Sequence, residues 1–79
     1  MHTRYNQFWS DYEQNLARAV REKPGEYGFP LEMVPTVRAR MQAAYDRKTY
    51  NKDGWAFKWT CRQHGIKHTY QAIAAYLSS

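Results

Sequence analysis

An aromatic stripe near the start of the chain has the spacing of one face of an α-helix. Large apolar side chains recur there at steps of three and four residues: Tyr5, Phe8, Trp9, Tyr12, Leu16 and Ala19 or Val20. Burying one such side chain is worth roughly 1.5–3 kcal/mol relative to leaving it in water, so other elements must cover the stripe. The pattern predicts a helix over about residues 3–22 that is buried along one side.

The composition favours a small folded protein. The chain has 79 residues, the size of one domain, and its three Trp, seven Tyr and three Phe exceed what a disordered basic segment carries. Its single cysteine, Cys61, excludes an internal disulfide and is typical of a reducing compartment. No stretch has the apolar character of a signal peptide or a membrane span. We therefore expect one domain over residues 1–79, cytoplasmic and without a membrane contact.

A loop and a second helix should follow the first. The loop, residues 23–33, is rich in proline and glycine, and we expect it to be ordered because Tyr27 and Phe29 would be costly to expose. The second helix should begin near Pro35, a residue that suits the first helical turn. Its apolar stripe consists of Val34, Val37, Met41, Ala44 and Tyr45.

The last part of the chain predicts two short helices around a glycine. The first should cover about Trp55 to His64 and end at Gly65, since glycine readily adopts the left-handed conformation found at helix ends. Thr69 can cap the second helix, whose inward stripe is Tyr70, Ile73, Ala74 and Leu77. No alternating strand pattern is present. The expected fold is an all-α bundle of about four helices that ends in a helical hairpin.

Positive charge is concentrated in the second half of the chain. The formal net charge is +5; residues 1–33 contain four Lys and Arg against five Asp and Glu, whereas residues 34–79 contain eight against two. This asymmetry favours a polyanionic partner, nucleic acid first and an acidic protein second. A basic surface that serves solubility alone is the alternative.

The C-terminal helical pair resembles the helix-turn-helix domains that bind DNA. The resemblance covers residues 56–77 and rests on the small residue Cys61, four positions before Gly65, and on the apolar Ile66 directly after it. In that family the first helix lies across the DNA backbone and the second enters the major groove. The resemblance implies that the helix after Thr69 contacts bases.

The register after the glycine departs from that family. In that family the next buried positions of the second helix would correspond to Gln71 and Ala74. In this chain the apolar residues of that helix are instead Tyr70, Ile73 and Leu77. The offset of one residue indicates a longer turn. A plain αα-hairpin, in which the glycine and the capping residue serve only the fold, remains open.

Side chains suited to DNA occur throughout this basic half. The expected phosphate contacts are cations off the apolar stripes: Arg38, Arg47, Lys48, Lys58, Arg62 and Lys67. His68 and Gln71, in the first turn of the last helix together with Lys67, are the expected base contacts, since glutamine can bond an adenine edge at two atoms. This helix lacks arginine, which favours weakly specific binding.

The helix that begins near Trp55 has two candidate inward faces. One carries Trp55, Lys58, Trp59 and Arg62, and the other carries Phe57, Cys61 and His64. If the Phe57 face is buried, the tryptophans lie beside two cations on a partly exposed surface, where such rings stack on bases or anchor a protein partner. The alternative is that the tryptophans belong to the core and the cations cover them.

The sequence favours neither catalysis nor a metal or cofactor site. Cys61, His64 and His68 are residue types that bind zinc, but a structural zinc needs four ligands and the fourth would have to come from far away. No third group is placed to orient Cys61 and His64 for nucleophilic catalysis. We expect His64 instead to cap the end of its helix as a cation.

The main alternative function is a protein-binding module or inhibitor that docks its basic, tryptophan-containing surface on an acidic partner. The first helix indicates which surface is the interface. If Phe8, Trp9 and Tyr12 are buried within the monomer, the basic half remains as the interface, whereas their exposure would indicate a dimer or a hetero-complex. A homodimer would also suit paired DNA half-sites. A membrane-surface role ranks lower because the second helix needs its apolar stripe for the core.

Overall fold

A computed structural model describes residues 3–49 and 55–78 of the protein, apart from the side chains of Thr3 and Trp55. These residues form the helices α1 (Thr3–Glu22), α2 (Val34–Asp46), α3 (Trp55–Gln63) and α4 (Tyr70–Ser78), with one turn of 3-10 helix (Leu31–Met33) before α2. They contain no strand. The predicted all-α fold of about four helices is therefore confirmed.

Helix α1 is the element on which the other helices pack. Phe8, Tyr12 and Leu16 are at most 1% exposed, and Trp9 is 3% exposed. Helices α2, α3 and α4 all contact α1. The predicted burial of the aromatic stripe is confirmed, and a single chain is enough to cover it. Within the described ranges, no helix combines the length and the apolar character needed to cross a membrane.

Aromatic rings join α1 to α3. The indole ring of Trp9 lies nearly parallel to the ring of Phe57, with centroids 6.1 Å apart and an interplanar angle of 10°. Tyr12 approaches the same ring at 5.4 Å. Such pairs add roughly 0.5–1.5 kcal/mol to the free energy gained by burying the rings. Phe57 is therefore a central contact of the core.

The Phe57 face of α3 is the inward face. Phe57 and Cys61 are fully buried, and so is Thr60 on the adjoining side of the helix. The Thr60 hydroxyl donates a hydrogen bond to the carbonyl oxygen of Ala56 at 2.9 Å, which satisfies this polar group inside the core. The opposite side of α3 carries the exposed Lys58 and Arg62 and the half-buried Trp59.

The connection between α1 and α2 is ordered, as predicted. Tyr27 and Phe29 are half-buried against the core, with ring centroids 6.1 Å apart. The 3-10 turn then leads into α2, whose first turn contains Pro35. Val34 and Val37 of its predicted stripe are buried.

Helix α4 packs against the start of α1. Its predicted inward stripe is buried or half-buried: Tyr70, Ile73, Ala74 and Leu77. Arg4 also reaches across from α1, where its Nε atom donates to the carbonyl oxygen of Tyr76 at 2.8 Å and its guanidinium lies 4.3 Å from the centroid of the Tyr76 ring. Tyr76 thus joins the core from a position that the stripe does not include.

The end of α3 has the backbone motif expected of a glycine stop. Gly65 has a φ of +69°. Its N–H donates to the carbonyl oxygen of Arg62 at 3.0 Å, and the N–H of Ile66 donates to that of Cys61 at 3.1 Å. These two bonds define a Schellman motif, which satisfies carbonyl groups at the helix end. The predicted role of Gly65 is confirmed.

Helix α2 ends with the same motif, but with lysine at the left-handed position. Lys48 has a φ of +62°. Its N–H donates to the carbonyl oxygen of Tyr45 at 3.0 Å, and the N–H of Thr49 donates to that of Ala44 at 2.8 Å. A β-carbon crowds the backbone in this conformation, which is why glycine usually occupies it. Lys48 therefore holds a strained backbone.

Substitutions at Gly65 and Lys48, the two left-handed positions at helix ends, should change the free energy of unfolding in opposite directions. Gly65→Ala should lower the free energy of unfolding by about 1 kcal/mol, because the added β-carbon meets no atom within 4 Å and the cost is backbone strain alone. Lys48→Gly should raise it by about 0.5 kcal/mol, since relief of strain exceeds the added entropy of the unfolded glycine. Urea denaturation measures both changes. Destabilisation by Lys48→Gly would contradict the assignment of strain.

Candidate nucleic-acid interface

Five of the six predicted phosphate contacts are exposed cations. Arg47 and Lys48 follow the end of α2, Lys58 and Arg62 lie one turn apart on α3, and Lys67 lies before the start of α4. None of the five forms an ion pair with a described residue. Their charges face solvent, which is what contact with a phosphate requires.

Arg38, the sixth predicted contact, lies in a different environment. It is half-buried, and its Nε atom donates to Oε1 of Glu13 on α1 at 3.0 Å, while its guanidinium also donates to Gln42. Gln42 in turn donates to the hydroxyl of Tyr5, which donates to Asp46 at 2.9 Å. This network joins α1 to α2. Arg38 therefore joins the two helices through a partly exposed ion pair, and its contact with a phosphate stays a prediction.

A cleft lies between the end of α2 and the start of α4. It has a volume of about 500 Å³, and we define the α2–α4 cleft by the described residues that line it, Lys48, Thr69, Tyr70 and Gln71. The Lys48 ammonium lies 5.6 Å from the centroid of the Tyr70 ring, within the range of a cation–π interaction. The cleft brings together a predicted phosphate contact, Lys48, and a predicted base contact, Gln71.

Thr69 fixes where α4 begins. Its Oγ1 accepts a hydrogen bond from the N–H of Ala72 at 3.2 Å, so it caps the helix as predicted. Gln71 is then exposed in the first turn. The placement of Lys67 and His68 in that turn is wrong, because both precede the cap; they are exposed in the connection from α3.

The connection from α3 to α4 is long. Six residues, 64–69, separate the two helices, which confirms the longer turn that the register indicates. Gln71 is exposed and Ile73 is fully buried, as the shifted register requires. The turn of a helix-turn-helix has three or four residues. The likeness to that family is therefore limited to two helices around a glycine.

The tryptophan face of α3 is described in part. Trp59 is half-buried, and Lys58 and Arg62 beside it are exposed. We expected the tryptophans to be partly exposed if the Phe57 face of α3 is buried. That face is buried, and Trp59 has the expected position. The side chain of Trp55 lies outside the description, so its pairing with these cations stays a prediction.

His64 faces the core at the end of α3. Its ring lies 5.4 Å from that of Phe8 and 6.3 Å from that of Tyr76, and Nδ2 of Asn15 donates to its Nε2 at 3.4 Å. Burial lowers the pKa of His64 below its ordinary value of 6.5, against a smaller opposing effect of Asp11. The expectation that His64 caps the helix as a cation is therefore wrong, because desolvation favours the neutral imidazole.

The residues considered as zinc ligands lie in unlike environments. Cys61 is fully buried, His64 is half-buried and His68 is exposed. No group of three or more His, Cys, Asp or Glu residues in the described part of the chain is placed to hold a metal ion.

Tyr70 is the residue of the α2–α4 cleft that sequence reasoning missed. It belongs to the inward stripe of α4, and its half-buried ring both stacks on Tyr45 and lines the cleft. The sequence signal that could have pointed to this cleft was Lys48, because a lysine follows the end of α2 where glycine is usual.

Comparisons with known proteins provide no relative. No protein-family model, curated protein or solved structure matches the chain.

Stability should decrease at acidic pH through His64. Because the pKa of the folded form lies below 6.5, the unfolded chain binds more protons as the pH falls through and below that value, and the free energy of unfolding falls with it. His64→Gln should reduce this decline, because it removes the group that gains the proton on unfolding. Urea denaturation between about pH 7.5 and pH 5.5 measures the slopes. Equal slopes in wild type and His64→Gln would contradict the burial of a neutral His64.

Proposed function

We propose that the protein is a small, non-catalytic, cytoplasmic DNA-binding protein with an accessory or regulatory role. The observation that carries this proposal is the α2–α4 cleft, which combines the cation of Lys48 with the amide of Gln71 beside an aromatic ring. Ammonium groups bind phosphates, and glutamine bonds base edges. Exposed cations on α3 and in the α3–α4 connection supply further phosphate contacts.

The distribution of roles follows from exposure. Five exposed cations form no ion pair with a described residue, and we assign each of them to a phosphate. They are Arg47, Lys48, Lys58, Arg62 and Lys67. His68, in the connection from α3, and Gln71, in the first turn of α4, are exposed and are assigned to bases. Because α4 contains no arginine, most of the affinity comes from phosphates and sequence preference is weak.

The second candidate function is docking on an acidic protein. It is favoured by Trp59, which is half-buried beside the exposed Lys58 and Arg62, since Trp and Arg are frequent anchors of protein interfaces. The burial of Phe8, Trp9 and Tyr12 within the monomer supports the choice of the basic half as the interface for either partner. A homodimer on paired DNA half-sites would have to form through other surfaces.

Affinity for a mixed-sequence duplex should depend on α3 and on salt. Lys58→Glu/Arg62→Glu should weaken binding at least about tenfold at low salt, since two phosphate contacts become repulsive. Arg18→Glu/Arg21→Glu is the matched control, because it changes the net charge equally at exposed positions of α1. The control should bind within about threefold of wild type. Fluorescence anisotropy at two salt concentrations measures all three proteins.

Two outcomes would overturn this assignment. Absence of wild-type binding at low salt would remove the DNA proposal and direct attention to acidic protein partners. Equal losses in the two double variants would show that only net charge matters and that α3 is not part of a localised interface.

Gln71 and Lys67 should differ in the kind of binding that they support. Gln71→Ala should change relative affinities among duplex sequences by about 1–3 kcal/mol, because it removes a contact to a base edge. Lys67→Ala should weaken all sequences alike and reduce the slope of affinity against salt by about one unit. Competition among a panel of duplexes distinguishes the two effects. A uniform loss in Gln71→Ala would contradict its assignment to bases.

A further inference from the structure

A second cavity lies between α1 and α2, and we call it the α1–α2 cavity. It has a volume of about 420 Å³, which is within the range of small-molecule sites. On the α1 side its walls are formed by residues four positions apart, which share one face of a helix. Its lining includes Asn6, Trp9, Ser10, Glu13 and Gln14 of α1 and Arg38 of α2.

Trp9 contributes a polar group without a partner to this lining. Its side chain is 3% exposed, and its indole N–H is buried without an acceptor among the described residues. A buried donor that lacks an acceptor costs free energy. An oxygen atom that a ligand brings into the cavity can remove this cost, once the long side chains of the lining move aside.

Arg38 and Glu13 have atoms available for a charged ligand. The Nε atom of Arg38 donates to Oε1 of Glu13 at 3.0 Å, and its Nη1 atom donates to Gln42. Among the described residues, Nη2 of Arg38 has no acceptor and Oε2 of Glu13 has no donor. Both side chains are partly exposed. A positive and a negative group are thus available side by side.

This pair of charges selects among ligands. A phosphate would be attracted by Arg38 and repelled by Glu13, and a simple cation would meet the reverse. An α-amino acid carries an ammonium and a carboxylate on one carbon atom, so each of its charges can face the opposite charge of the pair. A peptide separates its two terminal charges and does not fit this arrangement.

The rest of the lining suits an uncharged polar side chain. Asn6, Ser10 and Gln14 are exposed along one face of α1, and none forms a side-chain hydrogen bond with a described residue. Carboxamides and hydroxyls can both donate and accept hydrogen bonds, so they can pair with a carboxamide of the ligand. Glutamine is an amino acid with such a side chain.

We propose that the α1–α2 cavity binds a free α-amino acid with an uncharged polar side chain. The carboxylate accepts from Nη2 of Arg38, the ammonium donates to Oε2 of Glu13, and an oxygen of the side chain accepts from the indole N–H of Trp9. The site shares only Arg38 with the predicted DNA contacts. The inference goes beyond the proposed function and does not depend on it.

The test is a titration of isotopically labelled protein with L-glutamine, followed by NMR spectra of the indole and backbone N–H groups. The indole signal of Trp9 should move downfield as it gains an acceptor, while the indole signals of the other two tryptophans stay in place. A ligand of about ten non-hydrogen atoms should bind with a dissociation constant of about 1 mM or less.

Two substitutions in the cavity have matched controls outside it. Arg38→Gln and Glu13→Gln should each weaken binding of L-glutamine at least about fivefold, because each removes a charge that faces the ligand. Arg40→Gln and Glu32→Gln make the same changes at exposed positions that do not line the cavity. These two controls should bind L-glutamine like wild type, and equal losses in them would overturn the site.

Altered ligands keep the test valid if a variant fails to fold. N-acetyl-L-glutamine lacks the ammonium and L-glutamine amide lacks the carboxylate, so each should bind the wild-type protein at least about fivefold more weakly. L-leucine keeps both charges and lacks the polar side chain, and it should leave the Trp9 indole signal in place.

Three outcomes would overturn the inference. The first is the absence of any change in the spectra up to about 20 mM L-glutamine. The second is binding that perturbs other residues and leaves the indole signal of Trp9 in place. The third is equal binding of L-glutamine and its two altered forms. None of these outcomes bears on DNA binding, which the duplex titration tests separately.

Discussion

The packing of the aromatic side of α1 against the other three helices is the interaction on which the whole structure depends. A chain of 79 residues with one cysteine has no disulfide to stabilise it and must rely on apolar burial. Phe8, Trp9 and Tyr12 supply much of that burial, and Phe57 of α3 stacks against this group. The apolar face of α1 is thus largely covered within the monomer.

The same packing determines which polar groups reach solvent. With Phe57 and Cys61 turned inward, Lys58 and Arg62 lie on the outer side of α3. The cap at Thr69 starts α4 so that Ile73 is buried and Gln71 is exposed. At the end of α2, the closing turn holds Lys48 above the ring of Tyr70. The proposed interface is thus a consequence of how three helices end or begin around one core.

Local patterns predicted the helices and the inward faces of α1, α2 and α4 well because each rests on neighbouring residues. For α3 the pattern left two faces open, and the fold buries the Phe57 face. The stripe of α1, the stop at Gly65 and the cap at Thr69 are all determined within a turn or two of chain. Contacts between distant residues could not be predicted in this way. Arg38 pairs with Glu13 from 25 positions away, and His64 is desolvated by rings of α1 and α4. The cleft depends on Lys48 and Tyr70, which only the folded chain brings together.

The most direct test of the central claim is a titration of isotopically labelled protein with DNA, followed by amide chemical shifts in NMR spectra. Both a duplex and a single strand should be used, at low salt. The account predicts that the perturbed amides cluster at residues 47–49, 58–62 and 67–71, while those of residues 13–33 stay in place. Perturbations centred on the 3-10 turn at Leu31–Met33 or on the outer side of α1, or none with either DNA, would contradict it.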